Sequence, residues 1–184
     1  MKLLNSGAWW NGTSGSYYNE STTATTVNFT NYKLSDKAKS YITTSRYYLG
    51  GYNDTNPPIT NEMYGYERGT LRYNTDRPLY WDGMVGLMYP SDYGYAAGNT
   101  CVTGTKLYDY EECRIKDWLY ISNTYQWLMS PDSGNSHGAF NVNSSGYDLI
   151  VVVYAHSARP VFYLTSTTNI DGGEGTLNNP YILK

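Results

Sequence analysis

The feature that most constrains this chain is how short its apolar runs are. The longest, Leu149 to Tyr154, is strand-sized, against the roughly 20 apolar residues that a helix needs to cross a bilayer. No run in the chain could therefore span a bilayer as a helix. At 184 residues the chain is long enough to bury about two thirds of its unfolded surface without an array of disulfides or metals. The expectation is one domain over residues 1–184.

Aromatic residues must then supply much of the core. The chain holds 22 Tyr and 5 Trp against 3 Phe, and only 16% of its residues are charged, below the roughly 25% usual for soluble domains. Tyr and Trp combine a large apolar ring with one hydrogen-bonding end, which suits both core edges and surfaces that meet sugars, proteins or other subunits. The formal net charge is -3 and the basic residues are scattered, so the basic footprint that neutralises phosphates is missing and nucleic acid is excluded as a partner. Residues 1 onward lack the positive-then-apolar plan of a secretory signal. The expectation is that an export signal and an anchor belong to the native protein outside this segment, which itself makes no membrane contact.

Cys101 and Cys113 enclose a short polar loop. An even cysteine count in such a setting predicts a disulfide and an oxidising, extracellular location, with two free buried thiols as the competing account.

Ser35 is placed to cap a helix in which Leu34, Ala38, Tyr41 and Ile42 share one face, predicting a short amphipathic helix. Thr60 to Tyr66 reads as helical or irregular. Trp81 to Tyr89 reads as a Gly-interrupted strand ended by Pro90, with Ser91 to Ala96 as a small-residue loop behind it. Trp118-Leu119 and Trp127-Leu128 read as core anchors. Phe140–Val142, Tyr147–Tyr154 and Arg159–Leu164 read as three successive strands of a closing antiparallel sheet, with Ser144-Ser145-Gly146 as the first turn and Tyr181–Leu183 as a short terminal strand. The fold class expected is α+β, helix first and β-rich in its second half.

The segments Tyr48-Leu49-Gly50-Gly51, Glu67-Arg68-Gly69-Thr70, Gly86 to Ala96, Trp127 to Pro131, Arg159 to Leu164 and Gly173 to Thr176 together resemble the extracellular part of pilin-like, prepilin-type surface proteins of Firmicutes. The prepilin signal and apolar helix of that family are absent from these residues. The last third is also similar to bacterial domains of a C-type-lectin-like fold, through Trp127-Leu128, Ser130-Pro131, Phe140 to Val142, the Ser-Gly turn and Arg159-Pro160. These resemblances imply a surface-displayed pilin-like or adhesin head that contacts other surface-protein subunits or a host glycan or protein. The alternative they leave is a lectin-like module that binds carbohydrate or protein without polymerising.

Catalytic signatures are missing. There is no Gly-x-Ser-x-Gly elbow, phosphate-binding Gly-Lys-Ser/Thr, His-Glu-x-x-His or Cys-x-x-Cys. His137 reads as an exposed loop residue and His156 as a cap on a strand turn. Glu111-Glu112 read as a solvated face, and Glu67-Arg68 as a structural ion pair or backbone clamp. Asp171 and Glu174 lie in a Gly-rich turn without the ligand series of a calcium loop. The chain is therefore expected to be non-catalytic and to need no cofactor. The residues expected to meet a ligand are Tyr93 and Tyr95, by stacking, together with Asp132, Asn135 and His137 in a polar loop; Asp132, Ser133 and Asn135 offer oxygens that a calcium ion could use, but no metal is expected.

Overall fold

A computed structural model describes residues 34–53, 56–107, 109, 113, 125–143, 146–151, 156–176 and 178–184. The Trp9-Trp10 and Tyr17-Tyr18 anchors, Glu111-Glu112, Trp118-Leu119 and the Ser144-Ser145 turn lie outside the described residues. The described chain mixes helices and strands, as an α+β class requires.

Helix α1 (Asp36–Ser40) is capped by Ser35, whose Oγ accepts the Ala38 amide at 3.1 Å. The helix is shorter than its apolar spacing suggested and buries none of its residues completely. Ile42 leaves it for strand β1 (Ile42–Thr43), which pairs antiparallel with β10 (Tyr163–Leu164). Strand β2 (Ser45–Tyr48) pairs with β3 (Tyr80–Gly83) in the register Arg46 to Asp82, Tyr47 to Trp81 and Tyr48 to Tyr80. Because side chains alternate along a strand, Tyr47 and Trp81 go inward, while Arg46, Tyr48, Tyr80 and Asp82 lie on the other face.

Helix α2 (Thr60–Glu67) turns Thr60, Met63 and Glu67 to the interior, at spacings of three and four. Strand β4 (Gly86–Leu87) follows, and then α3 (Pro90–Ala97). Residues 91–96 were expected to form a loop and instead are helical. Pro90 occupies the first helical position, where its missing N–H costs nothing, and Asp92 Oδ2 accepts the Tyr89 amide at 2.8 Å. Gly94 is required by packing, since a Cβ there would run into Thr60 and Leu107.

A short helix α4 (Asn99–Thr103) carries Cys101, which is disulfide-bonded to Cys113. Both cysteines are buried. A bridge closing a loop of this length stabilises by about 3 kcal/mol, chiefly by restricting the unfolded chain. Replacing both cysteines with serine is expected to lower the unfolding free energy by about that amount, read as a lower midpoint in urea with a somewhat steeper slope, because the unfolded chain without the bridge is less compact.

The largest sheet has the order β7-β6-β5-β8. Strands β5 (Gln126–Pro131), β6 (Gly138–Asn143) and β7 (Gly146–Val151) run antiparallel, and β8 (Ser157–Ala158) lies parallel to β5. The segment 159–164 was expected to be one further antiparallel strand. It is divided instead, since β9 (Pro160–Val161) pairs with β4 and Tyr163–Leu164 pairs with β1. Pro160 lacks the donor that an uninterrupted ladder would need, so short edge pairings replace one long strand. The terminal strand stands as expected: β12 (Ile182–Leu183) pairs with β11 (Ile170–Gly172).

Two apolar clusters meet across β5. Met63, Met88, Tyr93, Leu107, Leu128, Phe140 and Val142 form the first, and Tyr47, Val85, Leu87, Tyr89 and Met129 the second. Leu128 enters one cluster and its neighbour Met129 the other, so β5 is covered on both faces. Trp127 packs against the second cluster as the core anchor expected of it.

Candidate functional site: a tyrosine face around Arg68

Three of the segments that carried the family resemblance converge at the C-terminus of α2. Gly50 donates its amide to the Glu67 carbonyl at 3.0 Å, and a Cβ at Gly50 would strike the carbonyls of Tyr66, Glu67 and Gly69. Only a residue without a side chain lets the strand pass so close to these helix-end carbonyls.

The Glu67 side chain then reaches the start of α3. Its Oε1 accepts the Ser91 amide at 2.8 Å and its Oε2 accepts the Ser91 hydroxyl at 2.5 Å and Arg68 Nη1 at 3.0 Å. A carboxylate here satisfies an amide that no helical carbonyl can reach. Glu67 is completely buried, and loss of hydration is the largest influence on its carboxyl, which is pushed up to about 7 despite the Ser91 and Arg68 contacts. The pair is structural, as its sequence context suggested.

Arg68 emerges from this buried anchor among tyrosines. Its guanidinium carbon lies 3.5 Å from the Tyr64 ring centroid, 5.0 Å from Tyr89 and 6.0 Å from Tyr48. Tyr64 and Tyr95 meet edge to face with centroids 6.2 Å apart, and the Tyr95 hydroxyl donates to Asn61 Oδ1 at 3.0 Å. The phenol of Tyr163 is raised first by burial and then by the charge of Asp92, with Arg68, Tyr64 and Tyr48 also within range. Tyr89 lies beneath, buried, its hydroxyl donating to the Tyr48 carbonyl at 2.9 Å. Tyr48, Tyr64, Tyr95 and Tyr163 are each 40–44% exposed. Beside them Tyr80 stacks under Arg46, 3.9 Å from its centroid, while Arg46 grips Asp82 through two hydrogen bonds. The result is a surface of aromatic rings gathered from strands and helices distant in sequence.

The expected ligand residues separate in the structure. Tyr95 belongs to the tyrosine face. Tyr93 does not: it is 1% exposed and its hydroxyl donates to the buried Gln126 Oε1 at 3.1 Å, so it is a core residue and its ring cannot stack on a surface ligand. The reason is the helix. Two residues apart on a helix point to nearly opposite sides, whereas the loop expected at 91–96 allowed both rings to face solvent.

Asp132, Asn135 and His137 do share one loop, between β5 and β6, but two of them are occupied in shaping it. Asp132 is buried; its Oδ1 accepts the Gly134 amide at 2.6 Å and its Oδ2 meets the Asn135 side-chain amide. Asn135 Oδ1 accepts the His137 amide at 2.9 Å. Arg77 ties the loop down from outside, donating to the carbonyls of Asp132, at 2.6 Å, and Ser136, at 3.0 Å. His137 itself is exposed. The Asp132 and Asn135 oxygens weighed for calcium are thus turned onto the loop's own amides, whereas the buried Ser133 hydroxyl has no hydrogen-bond partner among the described residues. Among the described residues no group of three or more His, Cys, Asp or Glu is gathered as a metal site would need.

His156 is stacked on Tyr125 with ring centroids 5.0 Å apart and tilted against Trp127 at 4.6 Å, an aromatic packing role beyond the strand cap expected of it. Sequence reading missed Arg68 as the centre of a surface, because what marks it is four tyrosines that only the fold brings together. No family model, curated protein or solved structure matches the chain.

Proposed function

We propose that this chain is a non-catalytic contact domain of a bacterial surface, a pilin-like or adhesin head of C-type-lectin-like architecture that meets its partners through the tyrosine face around Arg68. The observation that carries the reading is that face. Tyr48, Tyr64, Tyr95 and Tyr163 hold 40–44% of their surface in solvent, around a guanidinium that is fixed by a buried carboxylate. Rings held in this way bind with little loss of side-chain freedom, because a tyrosine has few torsions to order and Tyr64 and Tyr95 already pack edge to face. The Cys101–Cys113 disulfide supports an oxidising location.

The reading is tested on intact cells of the native host, with antibody to this domain. Surface labelling, with filaments or a coat in electron micrographs, is the expected result, and a purely cytoplasmic protein overturns it. Labelling without filaments moves the reading to the lectin-like module that acts without polymerising, which uses the same face.

Tyr95→Ala removes one of these rings at the cost of a single exposed hydrogen bond to Asn61. It is expected to weaken partner binding about tenfold, the equivalent of about 1.4 kcal/mol, while the melting temperature changes by no more than about 2 °C. Tyr93→Ala, at the neighbouring buried site, is expected to do the reverse and lower stability first.

A further inference from the structure

We infer that the Arg68 guanidinium, within its ring of tyrosines, binds the carboxylate of an acidic sugar, a uronic or sialic acid residue of a glycan. The inference rests on the contact-domain reading above and names its ligand class. An arginine carries five N–H donors in a rigid fork that matches a carboxylate. Arg68 Nη1 is occupied by Glu67 Oε2 and the Tyr64 carbonyl. Its Nη2 and Nε donate to no group among the described residues, and a quarter of the side chain is exposed. The guanidinium is nevertheless held in place, by Glu67 from beneath and by the Tyr64 ring at 3.5 Å. A fixed cation with spare donors at the surface is a site that a carboxylate completes with charge-assisted hydrogen bonds.

The surroundings favour a sugar over a bare anion. Tyr64 and Tyr95 present exposed ring area beside the guanidinium, and a pyranose offers such rings an apolar C–H face while its hydroxyls reach phenol oxygens. They also favour a singly charged group over phosphate. The acidic groups packed near Arg68 are Glu67, which bonds to it, and Asp92, which has one oxygen on the Tyr89 amide. Because Glu67 and Asp92 already offset the charge of Arg68 when they are ionised, a singly charged ligand group is repelled less here than a doubly charged one. Burial pushes the Glu67 carboxyl up to about 7, so near neutral pH it offsets the charge of Arg68 only in part.

The test is calorimetric titration of the folded domain with trigalacturonic acid and with 3′-sialyllactose, each against its neutral counterpart, galactotriose and lactose. At least one acidic sugar is expected to bind ten times or more tightly than its counterpart, with affinity falling as salt rises. Arg68→Gln should lose that preference and Glu67→Gln should strengthen acid binding severalfold by removing the competing carboxylate. Should Arg68→Gln alone fail to fold, the double variant E67Q/R68Q keeps the buried pair neutral and Tyr64→Ala removes the ring without touching the pair. Either is expected to weaken acid binding tenfold. Equal binding of acidic and neutral sugars, or acid binding that survives loss of Arg68, overturns the carboxylate assignment and leaves the contact-domain reading standing. Absence of binding to all four sugars overturns the assignment too, and the contact-domain reading then depends on the cell-surface experiment alone.

Discussion

Phe140→Ala is expected to lower the unfolding free energy by about 4 kcal/mol, the usual cost of removing a fully buried ring when the surroundings cannot close around the void. For a chain of this length that corresponds to a drop of about 10 °C in melting temperature. Phe140 is completely buried and sits on β6, hydrogen-bonded to β5 on one side and β7 on the other. In the first apolar cluster it is joined by Met63 of α2, Tyr93 of α3 and Leu128 of β5, so it belongs to the core where the sheet and both helices meet. A void there is lined from rigid elements on several sides, which limits collapse. Phe140→Leu should recover most of the loss, since it keeps most of the apolar volume. Urea denaturation followed by circular dichroism measures both, and a loss below about 1 kcal/mol for the alanine variant would show that the cluster does not join the layers as described.

What the sequence made legible was local. Ser35 capped the first helix because a hydroxyl before an apolar-periodic stretch has an amide within three residues to accept from. The strands at Phe140 to Val142 and from Tyr147 onward were readable from β-rich runs and turn residues, and they pair antiparallel as β6 and β7. The chemistry at Pro90-Ser91-Asp92 was also present, a proline followed two places on by an acid, but Gly94 and the small residues around it read as loop. Mistaking that one element moved Tyr93 from core to surface, since a ring's direction depends on whether its backbone turns by about 100° per residue or alternates. Residues 159–164 were misread for a different reason. Each two-residue piece finds its partner more than 70 positions away for β9 and at least 120 away for β10, and no short-range pattern encodes those distances.

The functional face was harder still. Tyr48, Tyr64, Tyr95 and Tyr163 come from β2, α2, α3 and β10, and nothing in the local context of any one of them separates it from the tyrosines that are buried. Tyr47 and Tyr48 make the point within two residues. The first is completely buried, its phenol pushed up to about 12 by loss of hydration, and the second is 40% exposed. The alternation of β2 decides between them, and that follows only once the pairing with β3 is known. Glu67-Arg68 was read as a structural ion pair or backbone clamp from its place between likely elements. Its partner Ser91, 24 residues on, was beyond reach.

Glu67 should make the stability of the whole domain fall as pH rises from about 4.5 to 7. In the unfolded chain its carboxyl titrates near 4.5, whereas burial holds it at about 7 in the fold. Between those values the folded protein keeps a proton that the unfolded chain has released, so folding takes up a proton and is favoured by acid. The contribution is fully present below pH 4.5 and is gone above about 7. A difference of this size is worth on the order of 3 kcal/mol at most. Glu67→Gln, which keeps an acceptor for the Ser91 amide but cannot ionise, should flatten the profile over that interval. Glu67→Ala should instead cost about 4 kcal/mol, because the Ser91 amide and hydroxyl lose their buried acceptor and Arg68 its counter-charge. Urea midpoints for the three proteins at pH 4.5, 5.5, 6.5 and 7.5 measure this directly. If the parent protein and Glu67→Gln respond to pH in parallel, Glu67 is ionised throughout, and the Arg68 and Ser91 contacts outweigh the cost of burying its charge.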